Sequence, residues 1–307
     1  MNQRTVRVKV PASTANLGPG FDAVGMAFQL YTTIEMRLAS ETKLVLHGEE
    51  LAQVPTDKTN LLYEVAALLF QRAGLTPPEL YMEVSTDVPM TRGLGSSAAA
   101  IVGALVAANT LADEPFTRDE LFAMASNLEG HPDNVGASLF GGVVVATMPE
   151  SEEKPVPYVR FDSPKGLQTL VIIPDFWLPT EEARQVLPEM YPRKDLVYNV
   201  GRSSLLVAAL AQGRLDLLAE AMKDRLHQPY RSKLIPGLSE ILAEATQHGA
   251  IGAALSGAGP TILCFYQSDE QHATLLDFVG RVMNQHGISY RALVLPVDET
   301  GVTIEII

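Results

Sequence analysis

The chain has 307 residues, 47% of them hydrophobic, enough for two compact domains with real cores and no low-complexity stretch. Acidic residues exceed basic ones by 13 and no basic stripe breaks that excess, which argues against nucleic acid or an anionic membrane as partner. The single cysteine, Cys264, allows no internal disulfide framework and no zinc-spaced cluster, as expected in a reducing cytoplasm. The apolar run 98–108 is too short to span a bilayer, and the opening "MNQRTVRVKVPAST" carries no apolar signal core, so neither a span nor an export signal is expected.

Residues 4–10 alternate, with Val6, Val8 and Val10 on one face, and predict a half-buried strand. "PASTANLGPGFD", 11–22, breaks the alternation with two prolines and two glycines and reads as a loop. Alternation resumes over 31–38, with a partner strand at 43–47. Asn60 caps a predicted helix to Ala73, ended by Gly74 and the prolines at 77 and 78. A strand at 80–86 leads into a Gly-Ser turn and an alanine-rich helix. Thr117 and Glu120 form a T-x-x-E capping box that opens a helix to about Glu129. A buried strand is predicted at 141–147. The charged, proline-bearing 151–157 places a domain boundary, dividing the chain into 1–155 and 156–307. Beyond it come a strand at 169–173, helices at 195–212, 214–226 and 238–248, and strands at 251–255 and 261–266. A helix at 269–285 and two short strands close the chain. Interspersed strands and helices in both halves give an α/β or α+β class.

Three stretches carry candidate chemistry. In "PMTRGLGSSAAA", 89–100, Gly93 and Gly95 let backbone fold closely around an anion at a helix N-terminus, where free N–H groups and the macrodipole favour negative charge. Ser96 and Ser97 add hydroxyls. The lysine of a Walker phosphate loop is missing, and a simple serine-capped helix would explain the same residues. In 11–22, Asn16 and Asp22 serve either as turn formers or as ligands for a small molecule, Asp22 suiting an ammonium group. In "LEGHPDNVGASLFGG", 128–142, Glu129, His131, Asp133 and Asn134 cluster at a helix end. Pro132 and the lack of a second nearby histidine argue against a transition metal; magnesium, which takes hard oxygens, suits Glu129 with a serine hydroxyl.

Together with a late "SGAGPT", 256–261, these stretches resemble the three motifs of the GHMP kinase superfamily in order and spacing, over nearly the whole chain. "ANLGPGFD" and "EGHPDNV" look like its homoserine kinase branch. The resemblance implies a two-domain α+β fold: an N-terminal domain with a left-handed βαβ unit, a ferredoxin-like C-terminal domain, and ATP in the cleft between them. It implies that Met90, Thr91, Arg92, Gly93, Leu94, Gly95, Ser96, Ser97, Ala98, Ala99 and Ala100 surround the ATP phosphates, and that Ser97 (or Ser96) and Glu129 contact Mg2+.

Asn16, Asp22, His131, Asp133 and Asn134 fall where that branch holds its amino acid. Arg184 and Arg225 match positions suited to a carboxylate, which a guanidinium binds through two parallel hydrogen bonds. Gly257 and Gly259 line the cleft on this reading, and Glu129, Asp133, Asn134 and Arg225 take part in catalysis. The implied reaction moves the γ-phosphoryl group of MgATP to the hydroxyl of L-homoserine, a step of threonine biosynthesis. Alternatives are another acceptor, such as a mevalonate-type acid or a sugar, or a catalytically silent binding protein. Free strand edges in such folds leave room for a homodimer. No G-x-x-x-x-G-K-[ST] or G-x-G-x-x-G is present, so P-loop ATPases and dinucleotide enzymes find no support.

Overall fold

A computed structural model describes residues 4–151 and 154–307; Glu152 and Glu153, inside the charged segment, lie outside the described residues. The chain opens with a long antiparallel hairpin, β1 (Val6–Asn16) and β2 (Gly20–Leu38), whose valines at 6, 8 and 10 are fully buried. β3 (Lys43–His47), α1 (Leu61–Arg72) and β4 (Leu80–Thr86) form a βαβ unit, and β3/β4 is the one parallel pair among the described residues. Asn60 Oδ1 caps α1 by accepting the Leu62 N–H at 2.9 Å.

α2 (Ser96–Leu111) is apolar on nearly all faces because it lies inside the domain, against β1 and β2 and flanked by α1. α3 (Arg118–Glu129) starts at the predicted capping box, with Thr117 N–H on Glu120 Oε2 at 2.8 Å. α4 (Asp133–Phe140), β5 (Val143–Ala146) and β6 (Tyr158–Phe161) complete the layer.

The second layer is built from β7 (Gln168–Pro174), α5 (Thr180–Gln185), α6 (Arg193–Gln212), α7 (Leu218–Ala221), α8 (Gln228–Arg231), α9 (Leu238–Glu244), β8 (Gly252–Leu255), β9 (Ile262–Tyr266), α10 (Asp269–Gln285) and β10 (Tyr290–Val294). Its antiparallel order β10-β7-β9-β8 is the ferredoxin-like βαββαβ arrangement. Cys264 is sealed in this core, and burial pushes its thiol up to about 12. No helix among the described residues is long and apolar enough to cross a membrane.

Three expectations differ from what is found. The stretch 11–22 is strand to Asn16 and again from Gly20; its alternation is lost because both faces are covered, down to the polar Ser13 and Thr14. The predicted helix 214–226 is instead a 3-10 turn (Leu215–Leu217), α7 and a turn around Asp224. The sheets also do not part at 155/156. β6 pairs with β5, and a last strand, β11 (Thr303–Ile306), returns to pair with β1, so the first sheet runs β11-β1-β2-β4-β3. Helices α4, α5 and α8 escaped the sequence reading because helices of four to eight residues are too short to show an amphipathic period.

Gly25 of β2 sits where a Cβ would stand 2.1 Å from the Asp133 carbonyl oxygen, so the strand touches the start of α4 directly. Gly25→Ala should therefore destabilise the protein by about 1–3 kcal/mol, as overpacking does. Urea unfolding checks this; an unchanged midpoint would contradict the close approach.

Candidate active site

The glycine-serine turn ends in a left-handed Gly95, and α2 begins with no side-chain cap. Its first helical bond runs from the Ala99 N–H to the Gly95 carbonyl, which leaves the Ser96, Ser97 and Ala98 N–H groups without helical partners. Side chains are shut out by contact. A Cβ on Gly95 would meet Ser13 Oγ at 2.1 Å, and one on Gly93 would meet the Ser256 carbonyl oxygen at 2.3 Å. The turn is thus a cradle of backbone donors at the positive end of a helix.

The 256–261 turn holds that cradle against the hairpin. Ser256 Oγ lies 2.6 Å from the Gly93 carbonyl and 2.8 Å from Thr14 Oγ1; with one proton it donates to the carbonyl and accepts from the threonine. The Gly257 N–H donates to the Ala15 carbonyl at 3.1 Å, and Asn16 Nδ2 donates back to the Gly257 carbonyl at 3.0 Å. Asn16 Oδ1 accepts the Asp22 N–H, so this side chain shapes the hairpin tip that presents Asp22.

Arg184, on α5, pairs with Asp22 through two hydrogen bonds of 2.9 and 3.1 Å. Burial lowers the Arg184 pKa, but the Asp22 hydrogen bond and charge outweigh it and the net shift is upward. Arg231, on α8, is fully buried and lines the same cleft. Burial and then the neighbouring Arg184 bring its pKa down to about 10, so it is cationic at neutral pH. One carboxylate beside two guanidinium groups is the complement of a zwitterion.

On the opposite wall, Ser97 Oγ donates to Glu129 Oε2 at 3.0 Å. Burial raises the Glu129 pKa, partly offset by His131, Ser97 and Arg184. Asp133, at the first position of α4, accepts the Asn134 N–H and meets His131 Nδ1, both at 2.7 Å. Burial alone would lower the His131 pKa, yet the Asp133 hydrogen bond and the charges of Asp133, Asp22 and Glu129 raise it. Asp22, His131 and Asp133 bring ligating atoms within 4.8 Å of one another, but their bonds to Arg184 and to each other account for that grouping. Asn134 Oδ1 accepts from Ser13 Oγ at 3.0 Å, which turns its amide nitrogen back toward Asp133 at 3.4 Å.

Of the sequence candidates, Asn16, Asp22, Thr91, Gly93, Gly95, Ser96, Ser97, Glu129, His131, Asp133, Asn134, Arg184 and Gly257 line one cleft. Leu94, Ala98 and Ala99 are buried beneath it, and the Arg92 side chain turns to Glu50 and Asp175, both at 3.4 Å. Met90 and Ala100 line an adjoining apolar pocket with Leu46, Leu51, Val54, Leu61, Val84 and Val88, whose mouth shares Thr91, Ser96 and Ser97 with the cleft. Gly259 faces the core, toward Ile235 and Leu255.

Arg225 is not brought to the cleft: it pairs with Asp195 at 2.9 Å and lies 3.8 Å over the Tyr198 ring. Arg231, six positions later in the same "DRLHQPYR" run, takes the inward place, because α8 turns residues 227 and 231 to one face. Nothing in the spacing distinguishes the two arginines. Thr180 and the apolar pocket were missed as well; the pocket's residues read individually as core.

The GHMP kinases N terminal domain matches residues 60–142, and the GHMP kinases C terminal domain matches residues 206–285. The chain belongs to the GHMP kinase family. A homoserine kinase from Deinococcus radiodurans is 47% identical to this GHMP kinase over 302 residues, 98% of this chain and 97% of its own length. One from Desulfitobacterium hafniense is 42% identical over 97% of this chain and 99% of its own. A crystal structure of homoserine kinase from Cytophaga hutchinsonii superposes with a TM-score of 0.86 at 27% identity, covering 98% of this chain and 97% of that one. A mevalonate kinase crystal structure, at 15% identity and a TM-score of 0.69 over 95% of this chain and 99% of that one, shares the fold.

Ser13 also accepts from Ser138 Oγ at 3.2 Å, so its hydroxyl serves two buried partners. Ser13→Ala in this GHMP kinase should lower stability by about 1–3 kcal/mol through the unpaired Asn134 Oδ1. Chemical denaturation measures it; wild-type stability would show that Ser13 does not hold Asn134.

Proposed function

We propose that this GHMP kinase transfers the γ-phosphoryl group of ATP to the side-chain hydroxyl of L-homoserine, giving O-phospho-L-homoserine and ADP, as a step of threonine biosynthesis. The carrying observation is the Asp22–Arg184 pair with Arg231 beside it, in a cleft whose other wall is an uncapped helix N-terminus. Asp22 suits the ammonium group and the two arginines suit the carboxylate; a simple alcohol or sugar would use neither. The apolar pocket beyond Thr91, Ser96 and Ser97 has the character of an adenosine site, and the cradle between pocket and cleft suits the triphosphate.

The donor set fits magnesium: Ser97 Oγ and Glu129 Oε2 are two hard oxygens 3.0 Å apart, and burial makes the Glu129 anion costly without a cation nearby. Bound there, the ion would neutralise phosphate oxygen charge. The chain's own part is alignment. Asp22, Arg184 and Arg231 would fix both ends of the amino acid so that its hydroxyl faces the cradle, and such alignment is worth up to about 7–11 kcal/mol. The hydroxyl oxygen forms the new bond to phosphorus, the bond to ADP breaks, and the hydroxyl proton is released. No protein base is assigned.

A cytoplasmic setting agrees with the buried free thiol of Cys264. A homodimer contact would fall on the free edge of β11, where Ile304 and Ile306 are exposed.

ADP release with MgATP should be strong with L-homoserine and weak with mevalonate, galactose, L-serine and L-threonine. Strong turnover on another acceptor, or none on homoserine by folded protein, would overturn the proposal. Glu129→Gln should cut turnover by about a hundredfold or more while leaving the fold intact. Near-wild-type turnover would remove Glu129 from the site.

A further inference from the structure

Next to Arg231 lies His227, a fully buried imidazole outside the cleft lining. Its Nδ1 is 3.2 Å from Arg231 Nη1, and its Nε2 is 2.7 Å from the Gly18 carbonyl oxygen. A guanidinium only donates, so Nδ1 is the acceptor and carries no proton. Nε2 therefore bears the ring proton and donates to Gly18. Burial lowers the His227 pKa, Asp224 opposes that shift and Arg231 adds to it, which agrees with a neutral ring. The ring stacks on Phe21 at 5.2 Å, and its backbone N–H donates to Asp224 Oδ2 at 2.9 Å.

The other donors of Arg231 are committed too. Nε donates to the Ala183 carbonyl at 2.9 Å and Nη1 to the Gly257 carbonyl at 3.0 Å. Among the described residues no acceptor meets Nη2, and Arg231 lines the cleft.

We propose that His227 is a positioning residue for the amino-acid substrate: as the neutral Nε2–H tautomer it links the hairpin at Gly18 to Arg231 Nη1 and so sets which edge of the guanidinium is left for the carboxylate. The inference rests on the homoserine reading above. A rigid ring with an acceptor and a donor on different edges does what no flexible side chain does as well. The Gly18 side of the link is equally constrained, since a Cβ there would stand 2.1 Å from the Met222 carbonyl oxygen.

Steady-state kinetics on two variants test it. His227→Asn keeps an oxygen near the Nδ1 position and loses the reach to Gly18; His227→Gln reaches Gly18 and loses the acceptor for Arg231. The Gln variant should raise KM for L-homoserine by about ten- to a hundredfold, the loss of one charged hydrogen bond. Its KM for ATP and its kcat should stay within about threefold, as for a group that acts on binding. The Asn variant, which keeps the acceptor for Arg231 but loses the tie to Gly18, should raise the homoserine KM less, by about threefold, the loss of one neutral hydrogen bond. Equal effects in both variants, or a wild-type homoserine KM in the Gln variant, would overturn the proposal. Wild-type protein measured first separates the two claims, because no turnover on homoserine there overturns the reading on which His227 depends. Nitrogen NMR of the imidazole in unaltered protein gives a readout that needs no variant: Nε2–H supports the assignment and Nδ1–H overturns it.

Discussion

The cleft exists because one turn of the second layer is laid directly on two segments of the first. Around Ser256 and Gly257, backbone and hydroxyl groups bond to Gly93 in the phosphate-type turn and to Thr14, Ala15 and Asn16 in the hairpin. The contact is at backbone distance, which is why Gly93 has no room for a side chain. Every group assigned to substrate hangs from one of these three segments or from a helix tied to them, as Arg231 is tied through the Gly257 carbonyl. Domain placement and site geometry are therefore one constraint.

That constraint resolves the electrostatic difficulty posed by the sequence. A chain with a net charge of −13 has an unfavourable overall field for a nucleotide. The structure answers locally, with unpaired N–H groups at the start of α2 and two buried or half-buried arginines nearby. Each cation is held by specific acceptors: Arg184 by Asp22, Arg231 by two carbonyls and a neutral histidine. A neutral acceptor leaves the positive charge of Arg231 unspent, whereas a carboxylate in the place of His227 would compete with the substrate's own.

Elements with chemical punctuation were legible in the sequence. Asn60 and Thr117 mark the starts of α1 and α3, and the strand at 80–86 alternates cleanly. The backbone cradle was legible from Gly93 and Gly95, because glycine meets a backbone demand, while Ser96 and Ser97 read equally well as a helix cap, which the structure does not show. The burial of 11–16 was not, since a strand covered on both faces loses its period. Nor was the choice between Arg225 and Arg231, which is made by packing against Phe21, His227 and Gly257 rather than by any local signal. The apolar pocket depends on residues from β3, α1, β4 and α2 that converge only in the folded chain.

The most direct measurement is a crystal structure of this protein with L-homoserine and a non-hydrolysable ATP analogue. In that structure the ammonium group should lie on Asp22, the carboxylate on Arg184 and Arg231, and the terminal phosphate on the Ser96–Ala98 N–H groups, with the substrate hydroxyl facing it. Homoserine bound with its carboxylate away from both arginines, or phosphates seated elsewhere than the start of α2, would contradict this arrangement.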